Sequence, residues 1–144
     1  KDRTPETRYI AHCVRVINGA NAVDLQIFDG RFIVEKDVLV EASLLLHYKQ
    51  KIDKVFITLS ERGVFMMDFT KKEAEVTMLP ACLRKISDVS GAGDTVISLA
   101  TLCLALGLDS QTIANISNFA GGLVCESVGV VPIDKNKLLS ELLK

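Results

Sequence analysis

The segment Asp88-Val89-Ser90-Gly91-Ala92-Gly93-Asp94-Thr95-Val96 sets two carboxylates on either side of a glycine-rich turn that runs into an apolar stretch. Gly91 and Gly93 allow backbone conformations closed to other residues, so successive N–H groups can converge on an anion. The helix predicted from about Asp94 to Leu106 adds its unpaired first-turn amides and the positive end of its dipole at the same point. Asp94 would repel a phosphate if its only task were to sit beside one. It makes chemical sense there if it accepts a proton from an attacking hydroxyl. The plain alternative is that Asp94 caps the helix, a common role for this residue. Two other glycine patterns fit poorly. The Walker pattern needs Lys-Ser or Lys-Thr after its last glycine, whereas Gly93 is followed by Asp94-Thr95; the dinucleotide pattern G-x-G-x-x-G has Val96 in its third glycine position.

Asp88 to Asp94 resembles the D-T-x-G-A-G-D signature of the ribokinase-like (PfkB) sugar kinases, and its wording is similar to the heptose-phosphate kinase branch. Thr58-Leu59-Ser60-Glu61-Arg62-Gly63 resembles that branch's strand-end segment near the nucleotide phosphates, where many family members have glycine at the place of Ser60. Ser117-Asn118-Phe119-Ala120-Gly121-Gly122, with Val128-Gly129-Val130-Val131, resembles the helix and loop that flank the adenine. The match runs from about Lys54 to the C-terminus. What the resemblance implies is an ATP- and Mg²⁺-dependent sugar kinase with a ribokinase-like three-layer α/β/α fold and a mostly parallel central sheet, incomplete in this chain. In that reading the backbone of Gly91, Ala92 and Gly93 is the anion hole, Asp94 the base, and Asp88 a support for the phosphate and metal region. Thr58, Ser60, Glu61, Gly63, Asn118, Gly121, Gly122 and Val131 line the nucleotide, and no side chain is assigned as a resident metal ligand. The branch implies a heptose 7-phosphate as acceptor, phosphorylated at its anomeric oxygen. A ribose-, fructose- or nucleoside-like acceptor and a non-catalytic nucleotide-binding module are the alternatives.

The elements that must position these residues are legible in outline. Thr7 to Ile17 reads as a strand and Leu25 to Val34 as a hairpin-like pair around Asp29-Gly30. Val38, Leu39, Ala42, Leu45 and Leu46 recur at helical spacing between Lys36 and Lys51. Val55 to Leu59 is a nearly continuous apolar run, the pattern of a strand buried on both faces. Met66 to Asp68 and Ala74 to Leu79 read as two strands about the turn Thr70-Lys71-Lys72. The helix after Asp94 is apolar almost all round, which predicts a central position. A further helix is expected from Ser110, ending at Gly129. Gly121 and Gly122 in its interior should cost about 1 kcal/mol each against Ala. Close helix packing and room for a purine are equally good reasons for them on chemistry alone, and the resemblance favours the purine. Asp134 should cap a last amphipathic helix.

The sequence has 144 residues, 49% of them apolar, and a formal net charge of -1. That is enough to bury a core, and a single domain over residues 1–144 is expected, with about 54–144 best supported as its nucleotide-binding portion. The charge gives no electrostatic case for nucleic acid. No run approaches the length of a membrane span and no signal-peptide pattern opens the sequence, so the expectation is a cytoplasmic protein acting on a small sugar, with room for a homodimer. Cys13, Cys82, Cys103 and Cys125 lack metal-ligand spacing and read as reduced thiols. Members of the family are longer, and sugar-recognition glycines are missing from the first third. The sequence is therefore expected to be a C-terminal portion or a set of pieces joined between Ile17 and Lys51.

Overall fold

The computed structural model describes residues 11–18, 21–27, 36–82 and 84–143. Among them are strands β1 (Ala11–Asn18), β2 (Asn21–Ile27), β3 (Lys54–Thr58), β4 (Val64–Asp68) and β5 (Glu75–Leu79), and helices α1 (Lys36–Gln50), α2 (Ala92–Ala105), α3 (Ser110–Val124) and α4 (Lys135–Leu142). The strands form one sheet in the order β2-β1-β3-β4-β5.

The apolar run of β3 is buried on both faces because successive side chains point to opposite sides of the sheet. Val55 and Ile57 join Phe65 and Met67 of β4, and Leu39 of α1, in one core. Phe56 joins Val64 and Met66 of β4 in a second core with Val96, Ile97, Ala100 and Cys103 of α2 and Ile113 and Ala114 of α3. The pairing of Ile57 with Phe65 and of Phe56 with Met66 keeps each set on its own side. Full burial of each large side chain contributes about 1.5–3 kcal/mol. The result is the expected three layers, with α1 on one face, α2 and α3 on the other, and α4 packed on α3.

The expected mostly parallel sheet is not found among the described strands: every hydrogen-bonded pair is antiparallel. The reason is connection length. The links from β1 to β2, from β3 to β4 and from β4 to β5 are short, and a short link joins antiparallel neighbours, whereas a parallel pair needs a crossover. The parallel relation survives between non-neighbours, since β2 and β3 both run against β1 with α1 connecting them. Of the expected Leu25 to Val34 pair, Leu25 to Ile27 lies in β2 and the rest lies outside the described residues, as do Thr7 to Ile10.

Two further expectations change. Helix α2 is not buried all round. Leu102 is 56% exposed and Leu106, just beyond the helix, 69%, because only the face carrying Val96, Ile97, Ala100 and Cys103 meets the sheet. Helix α3 ends at Val124 rather than Gly129, which sits beyond it at φ 80°. The Asp134 cap is present: its side chain accepts from the Lys137 N–H at 2.8 Å. At the far end of the sheet, buried Asp68 accepts bonds from the Lys54 ammonium, the Thr70 amide and hydroxyl, and the Ser110 hydroxyl.

Candidate nucleotide and phosphoryl-transfer site

Strand β4 lies antiparallel between β3 and β5, so β3 and β5 point the same way and their C-terminal ends share one edge. Loop 59–63 and the segment from Pro80 to Gly91 leave the sheet there, and α2 begins there. The C-terminal edge of α/β strands is where such folds place ligands.

Gly91 is the N-cap of α2, in the left-handed region at φ 77° and ψ -2°. A Cβ on it would lie 3.0 Å from Val130 Cγ1. This residue needs glycine twice over, for its backbone and for its neighbour. Gly93 differs from expectation: it lies within the helix, is not among the positive-φ glycines, and a Cβ there would meet nothing within 4 Å. Its missing side chain leaves open space rather than permitting a special conformation. The amides of residues 91 to 94 are the set that a helix start leaves without intrahelical acceptors. Of these, Ala92 N–H donates to Val89 O at 3.2 Å, the long end of the hydrogen-bond range.

Asp94 is exposed in the first turn of α2. It is the third helical residue, not the N-cap, so the capping alternative does not hold in its simple form. Its backbone carbonyl accepts the Ser98 hydroxyl at 2.7 Å. Asp88 braces the turn. One carboxylate oxygen accepts the Ser90 amide at 2.9 Å and hydroxyl at 2.7 Å, and the other accepts the Gly129 N–H at 2.8 Å. These bonds, the Ser90 amide foremost, hold its carboxyl below the ordinary range. The carboxylate thus ties the glycine turn to the 128–131 loop that carries Val130 and the half-buried Val131.

The β3–β4 loop leaves the sheet at the same edge. Thr58 ends β3 opposite Val64. Ser60, exposed, takes φ 55°, a left-handed conformation that glycine would adopt at lower cost. Glu61 is exposed, and its own backbone amide and the Ser60 hydroxyl lower its pKa. Gly63 has a structural reason to be glycine. It is buried at φ 99°, where a Cβ would overlap the Leu79 carbonyl oxygen and sit 2.5 Å from Pro80 C. Its part is to let the loop cross beneath the exit of β5.

Helix α3 reaches this edge through Asn118. Asn118 donates from Nδ2 to Pro80 O at 2.8 Å, fixing the chain as it leaves β5. The two interior glycines each have a packing reason. A Cβ on Gly121 would come 2.5 Å from Val96 Cγ2 of α2, and one on Gly122 would come 3.1 Å from Cys82 Cβ.

Local sequence patterns missed Arg84 and Glu126. Arg84 bonds Glu126 and Glu141, each at 2.8 Å, and its guanidinium lies 4.7 Å from the centroid of the Phe119 ring. Partners 42 and 57 residues away leave no periodic or short-motif signal. Among the described residues no group of three or more His, Cys, Asp or Glu could hold a metal, and no helix is long and apolar enough to cross a membrane.

Residues 9–136 match the pfkB family carbohydrate kinase description. Among curated proteins, the chain is similar to the bifunctional protein HldE of Methylobacillus flagellatus, 37% identical over 108 residues, covering 75% of this chain and 21% of that protein. It is also similar to that of a Shewanella species, 31% identical over 122 residues, covering 85% and 25%. The chain thus spans about a fifth to a quarter of the length of these relatives. Among solved structures, it resembles phosphofructokinase-2 from Escherichia coli in complex with potassium, with TM-score 0.65 and 18% identity over 76% of this chain and 34% of that one. It also resembles ribokinase from Cryptococcus neoformans in complex with ADP, with TM-score 0.58 and 24% identity over 74% and 37%. With a ribokinase-like fold and a family match across most of its length, this chain belongs to the pfkB family of carbohydrate kinases.

Proposed function

We propose that this chain carries the nucleotide-binding and proton-accepting part of an ATP-dependent sugar kinase, with a heptose 7-phosphate as the acceptor. The observation that carries the reading is the start of α2: a left-handed Gly91, open space at Gly93 and an exposed carboxylate at Asp94 within one helical turn. The chain's similarity to HldE proteins and the wording of Asp88 to Val96 support the choice of acceptor.

The residues present fit a bound triphosphate. Gly93 leaves open space at the helix start where a Cβ would stand, and the helix start offers amides and a positive dipole end to an anion. Gly91, Ala92 and Gly93 would hold the phosphoryl oxygens, with the Ala92 amide turning from its long bond to Val89 O. Ser60 and Glu61 would stand on the β3 side of the nucleotide, and Asn118 and Val131 on the α3 side. Mg²⁺, arriving with the nucleotide phosphates, would supply neutralisation of the charge on the transferring group. Phosphoryl transfer asks for little covalent chemistry from a protein, so positioning and fixed dipoles provide most of the effect. Asp94 would receive the proton of the sugar hydroxyl as the hydroxyl attacks, which keeps the nucleophile from having to expel a proton into water.

The test is Asp94→Asn in the full-length protein, with steady-state turnover on a panel of sugar phosphates and calorimetric ATP binding on the same preparations. Turnover should fall by about 10² to 10⁴, because an amide cannot accept the proton. ATP affinity should be retained or slightly improved, since a negative charge near the phosphates is removed. Turnover near that of the wild type would overturn the base assignment. A heptose 7-phosphate no better used than ribose or fructose would overturn the acceptor.

A further inference from the structure

Segment 84–91, which ends in the glycine turn, is zipped to segment 125–130 through bonds of different kinds. Cys125 O accepts the Ser87 N–H at 2.8 Å and the Asp88 N–H at 3.2 Å. The Asp88 carboxylate accepts the Gly129 N–H, and Val130 covers Gly91. At the outer end of this zipper, Arg84 Nη1 donates to Glu126 Oε1 at 2.8 Å.

Three features set the Arg84–Glu126 pair apart from an ordinary surface ion pair. The Arg84 side chain is only 17% exposed and that of Glu126 25%. Arg84 is clamped from three sides, by Glu126, by Glu141 of α4 and by the face of Phe119 of α3. Its Nε is a buried donor without an acceptor among the described residues, a cost tolerated where the rest of the fork is well held. Glu126 is in turn bonded from outside by Lys137 of α4 at 2.6 Å. Lys137 and Arg84 both lower the Glu126 pKa, and Glu126, then Glu141, raise that of Arg84.

We infer that Arg84 and Glu126 are positioning residues for nucleotide binding: their pair sets the spacing between the glycine turn and the 125–131 loop, and α4 buttresses it. The inference rests on the kinase reading above. Neither side chain need touch the nucleotide. Glu126 stands three residues before Gly129, and Arg84 four before Asp88, so a slack pair lets the two ligand-flanking segments drift apart while the base at Asp94 stays on its helix. The expected signature is weaker nucleotide binding with the chemical step spared.

The experiment compares full-length wild type, Glu126→Gln, Arg84→Lys and Ser110→Ala in steady-state kinetics against ATP and against the acceptor, with thermal denaturation of each. Ser110 bonds Asp68 at the opposite end of the sheet, so its variant reports general destabilisation. Coupling through packed networks typically changes affinities by about 2- to 30-fold, and Glu126→Gln should raise the ATP KM within that range while kcat and the acceptor KM hold. Arg84→Lys keeps the charge but cannot fork to two carboxylates, so its ATP KM should rise by less. Ser110→Ala should lower Tm with the ATP KM unchanged. An unchanged ATP KM in Glu126→Gln, or an equal rise in Ser110→Ala, would overturn the positioning role. Absence of ATP turnover in the wild-type protein would instead overturn the kinase reading on which it rests.

Discussion

Gly91 and Gly93 stand two residues apart in the same turn, yet alanine should act on them in opposite ways. At Gly91 the backbone is left-handed, which costs a residue with a Cβ about 1–2 kcal/mol, and the new Cβ would press on Val130 at 3.0 Å. Gly91→Ala should therefore destabilise the fold by about 2 kcal/mol. Gly93 is helical with nothing within 4 Å of a built Cβ, so Gly93→Ala should leave stability unchanged or raise it by up to about 1 kcal/mol, the helix-propensity difference. Because the open space is where a phosphate would approach the first-turn amides, the same methyl stands in the ligand's path. ATP affinity should fall by at least about tenfold, or about 1.4 kcal/mol. Urea denaturation and calorimetric ATP titration on the same samples separate the two effects. A stable Gly93→Ala protein with wild-type ATP affinity would refute the phosphate-site assignment.

Two predictions concern the scaffold. Gly63→Ala should destabilise the protein by about 3 kcal/mol or more, because a side chain at φ 99° would collide with the backbone at Leu79 and Pro80; a change in the urea midpoint no larger than that of a surface substitution would contradict it. Asp68 is pushed up by burial, but bonds from Lys54, Thr70 and Ser110 outweigh this and bring its pKa from 3.8 to about 2. A lowered folded value means that its contribution, about 2 kcal/mol, is complete above about pH 4 and is lost as the pH falls towards 2. Urea titrations from pH 2 to 5 should show that slope in the wild type and lose it in Asp68→Asn, and parallel profiles would contradict the assignment.

The sequence by itself determined what depends on neighbours a few residues apart. The doubly buried strand at Val55 to Ile57, the start of α3 at Ser110, the Asp134 cap of α4, and the Asp88 to Val96 segment with its family resemblance were all legible, because turn chemistry and hydrophobic period are local properties. Tertiary structure decided what depends on distant partners. Strand direction followed from link length and pairing, which turned the expected mostly parallel sheet into an antiparallel one among the described strands. A glycine's purpose is invisible without its neighbours: Gly63 and Gly121 proved to be places where another chain segment passes, Gly91 a left-handed cap and Gly93 open space. Arg84 with Glu126, and Asp88 with Gly129, are pairs more than 40 residues apart. No periodicity marks such pairs, since a long-range contact leaves its trace in the folded geometry and not in the spacing of one chain.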